Sequence, residues 1–252
     1  MLSSLEHDLL CQVLSQFHNL STLIIPTITN SELLEVISIS LPKIKTLDIS
    51  CSTNVTDFGL MSLIGTNSKC KQSLEQLLLE GTSCTTDGIF VLLANLPKIE
   101  VMESSLLERA LDLVTDKTLN LRKVTIGRFW KSNQILKNLP QVCPQLCQVI
   151  LPNISSDQVQ FLQNFHQMAH LKHLHIGQIK FSQFGPILVN LGPQLTTLTY
   201  SNFTETANFA QIMEHCPNLE CMGLNTGNVT CNLPEITRLF SIFHLYFINH
   251  TI

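Results

Sequence analysis

One arrangement of apolar residues recurs along the chain: an apolar residue, two others, a second apolar residue, one other, and a third that is mostly apolar. The copies begin at Leu20, Ile44, Leu74, Ile99, Leu121, Leu146, Leu171, Leu195, Leu219 and Ile242, at intervals of 22 to 30 residues. Positions four and six of a copy, such as Leu47 and Ile49, are two residues apart. That is the side-chain repeat of an extended strand, so both point to the same side. Stacking copies in register merges those side chains into one core and sends positions three and five to the opposite, concave surface. A single copy has too little apolar surface to be stable alone, so the pattern requires an array.

Helical spacing fills the intervals. Ser31 to Leu41 sets Leu33, Leu34, Ile37 and Leu41 on one face, with Asn30 or Ser31 as N-cap. Thr56-Asp57 precedes Leu60, Leu63 and Ile64, Thr86-Asp87 precedes Ile89, Leu92 and Leu93, and Ser156-Asp157 precedes Val159, Phe161, Leu162 and Phe165. Phe184 to Leu191 and Thr206 to Met213 supply the later helices. Five helices along the chain stop at Pro42, Pro97, Pro144, Pro193 and Pro217, each two residues before a new copy. Proline disfavours helix at the residue before it and lacks the amide the ladder needs, so the chain is redirected into a strand. The repeating unit is strand, turn, helix and proline turn. It predicts an α/β leucine-rich repeat solenoid over residues 20–252, a horseshoe of about ten repeats with a parallel concave sheet and outer helices. Residues 1–19 carry Leu5, Leu9, Leu10, Val13, Leu14 and Phe17, which reads as the amphipathic helix of a partial, capping repeat shielding the first strand. The last copy, from Ile242, ends just after its strand, so that end is expected to be uncapped.

Ile44-Lys-Thr-Leu47-Asp-Ile49-Ser-Cys51-Ser-Thr-Asn-Val55-Thr56-Asp57-Phe-Gly59-Leu60 resembles the cysteine-containing repeat of F-box/LRR proteins, within the ribonuclease-inhibitor-like superfamily. Leu74-Glu-Gln-Leu77-Leu-Leu79-Glu-Gly-Thr82 is similar, with Thr82 where that family often has cysteine. Cys143-Pro-Gln-Leu146 and Cys216-Pro-Asn-Leu219 match its cysteine-proline helix end. The turn cysteine itself is displaced: Ser52 stands at its position, one residue after Cys51. The copy at Ile99 and the insert at 69–73 are irregular. The resemblance implies substrate recognition in a cullin-type ubiquitin ligase. Residues 1–19 leave no room for an F-box, so the adaptor contact is expected from a segment or chain other than this one.

Composition narrows the function. The 252 residues are 44% hydrophobic and only 13% charged, with a formal charge of −4. There is no basic run to meet phosphate, so nucleic acid is not an expected partner. No apolar run reaches the length of a membrane span, and the start, interrupted by Glu6, His7 and Asp8, is not a secretory signal. Nine cysteines, an odd number without a Cys-x-x-Cys pair, read as reduced thiols in a cytoplasmic or nuclear protein. The Asn-x-Ser/Thr sequons are then chance products of an Asn- and Thr-rich chain.

No nucleophile with its base, no phosphate-binding glycine loop and no paired carboxylates stand out, so neither an enzyme nor a cofactor is expected. His166, His170, His173 and His175 invite a zinc reading, but no acidic or thiol ligand lies nearby in sequence, and they read as turn and surface residues. Cys143 and Cys216 read as buried packing residues. The expected partner surface is the concave stripe, with Thr46 and Asp48, Gln76, Lys123 and Thr125, Gln148, His173 and His175, and Thr197 and Thr199. On the rim, Arg128 and Trp130 have the chemistry of a binding hot spot. The stripe is hydroxylic and amide-rich, suited to a protein partner and weak salt dependence. The sequence thus points to a non-enzymatic protein-interaction module. The alternative to the ligase setting is a stand-alone regulatory scaffold or inhibitor.

Overall fold

The structure, a computed structural model, describes residues 4–27, 29–126, 133–201, 209–225 and 244–247. The chain divides into two compact units, the first ending at Leu121 and the second beginning at Arg122.

The first unit alternates helices α1 (Ser4–Leu14), α2 (Ser31–Ser40), α3 (Asp57–Ile64), α4 (Thr86–Asn95) and α5 (Leu107–Asp112) with strands β1 (Thr22–Ile24), β2 (Thr46–Asp48), β3 (Gln76–Leu78) and β4 (Val101–Glu103). The strands pair in sequence order and all in parallel, Thr22 beside Thr46, Thr46 beside Gln76 and Gln76 beside Val101. The second unit carries β5 (Lys123–Thr125), α6 (Asn133–Val142), β6 (Gln148–Leu151), β7 (His173–Gly177), α7 (Phe181–Leu191), β8 (Thr197–Ser201), α8 (Phe209–His215), β9 (Cys221–Asn225) and β10 (His244–Phe247). Its parallel register runs from Lys123 through Gln148, His173, Thr197 and Cys221 to His244. Each unit is a stretch of α/β leucine-rich repeat solenoid.

The backbone joins successive copies in a fixed way. The amides of positions two and three both donate to the position-two carbonyl of the preceding copy. Lys45 and Thr46 share Ser21 O at 2.8 and 3.0 Å, and Lys172 and His173 share Cys147 O at 2.9 Å each. The core is what the alternation predicts: Leu47, Leu77, Val124, Val149, Leu174 and Leu198 at position four are buried, as are Ile49, Leu79, Ile126, Leu151 and Ile176 at position six. Tyr200 takes a position-six place without stranding its hydroxyl, which donates to Ile179 O at 2.6 Å while the ring stacks on Phe184. In the irregular fourth copy Met102 is buried, whereas position six is Ser104, whose hydroxyl accepts the Leu106 amide at 3.2 Å.

A left-handed residue ends several strands. Thr27, Cys51, Gly81 and Gln178 all stand at position eight of their copies, with φ of 69°, 58°, 74° and 56°. The amides of three of them reach the next copy, Thr27 N to Ser50 O at 2.8 Å, Cys51 N to Glu80 O at 2.6 Å and Gln178 N to Ser201 O at 3.1 Å. The positive φ thus turns the chain out of the sheet without losing a ladder bond. One residue later, Ser52 is fully buried and its hydroxyl accepts the Thr29 amide at 3.2 Å across the repeat.

Some helices differ from the sequence reading. The segment after Ser156-Asp157 is not an α-helix but a 3-10 helix, Val159–Gln167. Its buried residues, Val159, Leu162, Phe165 and Met168, are three apart, the period of a 3-10 helix rather than 3.6. The cap of α4 is Thr85, not Thr86, its side chain accepting the Gly88 amide, and Thr56 makes no side-chain cap to α3. Asn30 caps α2 as expected, accepting Leu33 N at 2.8 Å. Helix α7 begins at Phe181, three residues before the expected start. Helix α1 packs on α2. Leu14 is buried, while Leu9, Val13 and Phe17 of the expected apolar face are exposed.

Candidate functional site

The buried side chains of each unit's helices share the interior with positions four and six of its strands, so positions three and five form the helix-free face of each sheet. In the first unit Thr46 and Gln76 are neighbours there, Thr46 Oγ1 donating to Gln76 Oε1 at 3.4 Å. Asp48 lies two residues along, with Oδ1 accepting the Ser50 amide at 2.9 Å. Beside this face Lys45 Nζ and Glu75 Oε1 pair at 2.9 Å, and the carboxylate holds the ammonium in its charged form above its ordinary pKa.

The second unit carries the longer run. Lys123, Gln148, His173 and Thr197 form one row across β5 to β8, and Thr125, Ile150, His175 and Thr199 form the next. His173 is exposed, and the rest of these eight are half-buried. All ten sequence-selected stripe residues therefore fall on the helix-free faces, while Arg128 and Trp130 lie outside the described residues. Burial among its neighbours pushes the His175 pKa below the ordinary imidazole value. The ring is neutral near pH 7, with Nε2 3.4 Å from Ser201 Oγ. Ser201, almost buried, and Gly177 beside it were not singled out by sequence. The available signal was that both stand at position seven of neighbouring copies. A side chain at Gly177 would run into Pro152 O and Ser201 Oγ, so glycine is what lets β6, β7 and β8 approach there.

The histidines do not assemble a metal site. His166 Nδ1 lies 2.5 Å from Gln163 O at the end of the 3-10 helix, and among the described residues no group of three metal-ligating side chains occurs. The thiols before the proline turns are buried, and burial pushes Cys143 up to about 12 and Cys216 up to about 11. Both are packing residues with negligible thiolate at neutral pH. The cysteines among the described residues are free thiols. Among those residues no helix is long and apolar enough to cross a membrane.

Parallel in-register strands, helices on one side and a two-row face on the other define a leucine-rich repeat fold. No family model matches the chain, and no curated protein matches it. Among solved structures, the internalin inlF of Listeria monocytogenes is similar at 15% identity and a TM-score of 0.39, over 93% of this chain and 62% of that chain. The chain thus spans less than two thirds of the internalin's length.

Proposed function

We propose that the chain is a non-enzymatic protein-interaction module that engages a protein partner on the helix-free face of its sheet. The observation that carries this reading is the unbroken register of Lys123, Gln148, His173 and Thr197 beside Thr125, Ile150, His175 and Thr199. These side chains lie outside the buried core. They combine hydroxyl, amide, imidazole and aliphatic groups, the mixture found at protein interfaces. Lys123 is the one permanent cation among them, too little positive charge for a nucleic-acid backbone. The finer reading, taken from the resemblance, is substrate recognition in a cullin-type ubiquitin ligase, in the cytoplasm or nucleus. The alternative is a stand-alone regulatory scaffold.

The test is to express the tagged chain in cells and identify co-purifying proteins by mass spectrometry. Two variants run beside it: Lys123→Glu, His173→Glu and His175→Glu combined, and Gln160→Glu on the exposed side of the 3-10 helix. A partner lost from the triple variant but kept by Gln160→Glu, with both variants melting like the parent, supports the reading. Equal recovery from all three places the contact elsewhere and overturns it. A cullin with its adaptor in the eluate selects the ligase setting; a partner without them selects the scaffold.

A further inference from the structure

Two repeats of the first unit break the period. Ile44 to Leu74 takes 30 residues and Ile99 to Leu121 takes 22. Length changes in a solenoid collect in loops along one face, often a binding face. The long repeat spends its extra residues on a turn and a 3-10 helix, Cys70–Gln72, tied down by Lys69 N to Ser38 O at 2.8 Å. The short one has the brief α5 and then a loop through Asn120. Between these two departures, at the C-terminal end of α4, lies a crevice of about 370 Å³. That is within the size range of small-molecule sites.

Its chemistry is divided. The floor is apolar, made by the buried Leu93, Leu96 and Leu119. The rim is cationic, with Lys71 and Lys117 both lining it. Lys71 Nζ donates to Ile64 O at 3.2 Å at the end of α3, and Lys117 Nζ donates to Ala94 O at the end of α4. These bonds fix two ammonium groups where helix dipoles already favour positive charge. Each ammonium has three donors, so two remain for a ligand. Asn120 also lines the crevice and is held by its amide to Pro97 O at 2.6 Å. Asp116, the acid beside Lys117, is exposed and takes the Thr115 hydroxyl at 3.1 Å.

We infer that this crevice binds a small organic anion, a carboxylate on a short apolar body, with the head between Lys71 and Lys117 and the body over Leu93, Leu96 and Leu119. The site is independent of the sheet face and of whatever docks there. The same chemistry is offered by a free carboxylic acid and by the last residue of a peptide.

The experiment titrates the ¹⁵N-labelled chain with octanoate, octanol, and an acetylated dipeptide ending in leucine, as free acid and as amide. Octanoate should move the amide signals of Lys71, Leu96 and 117–120 in a saturable way. Octanol should bind about tenfold more weakly, the worth of a charge-assisted hydrogen bond. Lys71→Met with Lys117→Met should abolish the response while other signals stay in place; Lys117→Met alone, which removes one cap, should weaken it. Tighter binding by the peptide acid than by octanoate or the peptide amide makes a chain terminus the natural ligand, and the reverse order makes it a free acid. Equal binding of octanol, shifts spread over lysines elsewhere, or no shifts would each overturn the inference.

Discussion

Asp57 in α3 holds Thr85 of the next repeat with both carboxylate oxygens, Oδ1 accepting the Thr85 amide at 2.8 Å and Oδ2 accepting its hydroxyl at 2.5 Å. Thr85 in turn caps α4 by accepting the Gly88 amide at 3.3 Å. One acidic side chain thus fixes the start of the following helix, and repeat stability passes from one copy to the next. Gly88 is the third member of the device, since a methyl group there would overlap the Asp57 carboxylate.

Glycine inside a helix normally costs about 1 kcal/mol relative to alanine, so Gly88→Ala would be expected to stabilise α4. Here it should instead destabilise the chain by about 1 to 3 kcal/mol, the usual cost of forced overlap. Asp57→Ala should cost about 1 to 2 kcal/mol through its lost charge-assisted bonds. In Asp57→Ala the Gly88→Ala change should become harmless. Urea melts of the two single variants and the double variant read this coupling, and additive losses would contradict it.

The left-handed position makes an opposite prediction. Gln178 is exposed, its φ of 56° is unfavourable for a residue with a Cβ, and its amide bond to Ser201 O does not need the side chain. Gln178→Gly should stabilise by about 0.5 to 1 kcal/mol, relief of backbone strain outweighing the greater freedom of the unfolded chain. Gly81→Ala, at the equivalent place in the first unit, should destabilise by about 1 to 2 kcal/mol. Thermal melts of both variants settle the sign.

The strands were legible because their period of two and their repeat spacing are both written in the apolar residues; Leu47 and Leu174 could be placed in the core, and Thr46 and His173 on the outer face, without coordinates. Helix type was harder. Val159, Leu162, Phe165 and Met168 satisfy a period of three as well as part of a helical stripe, and only tertiary packing selects the 3-10 form. The left-handed turns were hidden because three of the four described residues that adopt them, Thr27, Cys51 and Gln178, are not glycine. The outer rows could be read as exposed, whereas the Ser201 contact to His175 depends on how closely neighbouring strands approach at Gly177. The Lys71–Lys117 crevice is assembled from three separate segments, and a linear scan for basic runs passes over it.

Thiol reactivity separates packing cysteines from surface ones. Cys51 is exposed at its turn, whereas Cys143 and Cys216 are buried, with pKa values pushed up to about 12 and about 11. The thiolate is the reacting form, so burial suppresses both access and ionisation. Brief alkylation with iodoacetamide at pH 8, read by peptide mass spectrometry, should modify Cys51 and leave Cys143 and Cys216 unmodified until denaturant is added. Labelling of Cys143 at the rate of Cys51 would place it on an opening surface and contradict its packing role.

His175 should make stability depend on pH in a defined window. Burial lowers its pKa in the folded chain below the ordinary 6.5, so between the two values the unfolded state binds more protons. Stability therefore rises with pH across that window. The contribution is fully present above about 6.5 and is lost as pH falls through the folded-state value. Replacing His175→Gln keeps a polar side chain of similar reach beside Ser201 and removes the titration. The difference in unfolding free energy between parent and variant should be constant above pH 7 and should shift steadily against the parent from pH 6.5 downward. A parent whose stability relative to His175→Gln is flat from pH 5 to 8 would mean that the ring is hydrated in the folded chain, contrary to its half-buried place between Ile150 and Thr199.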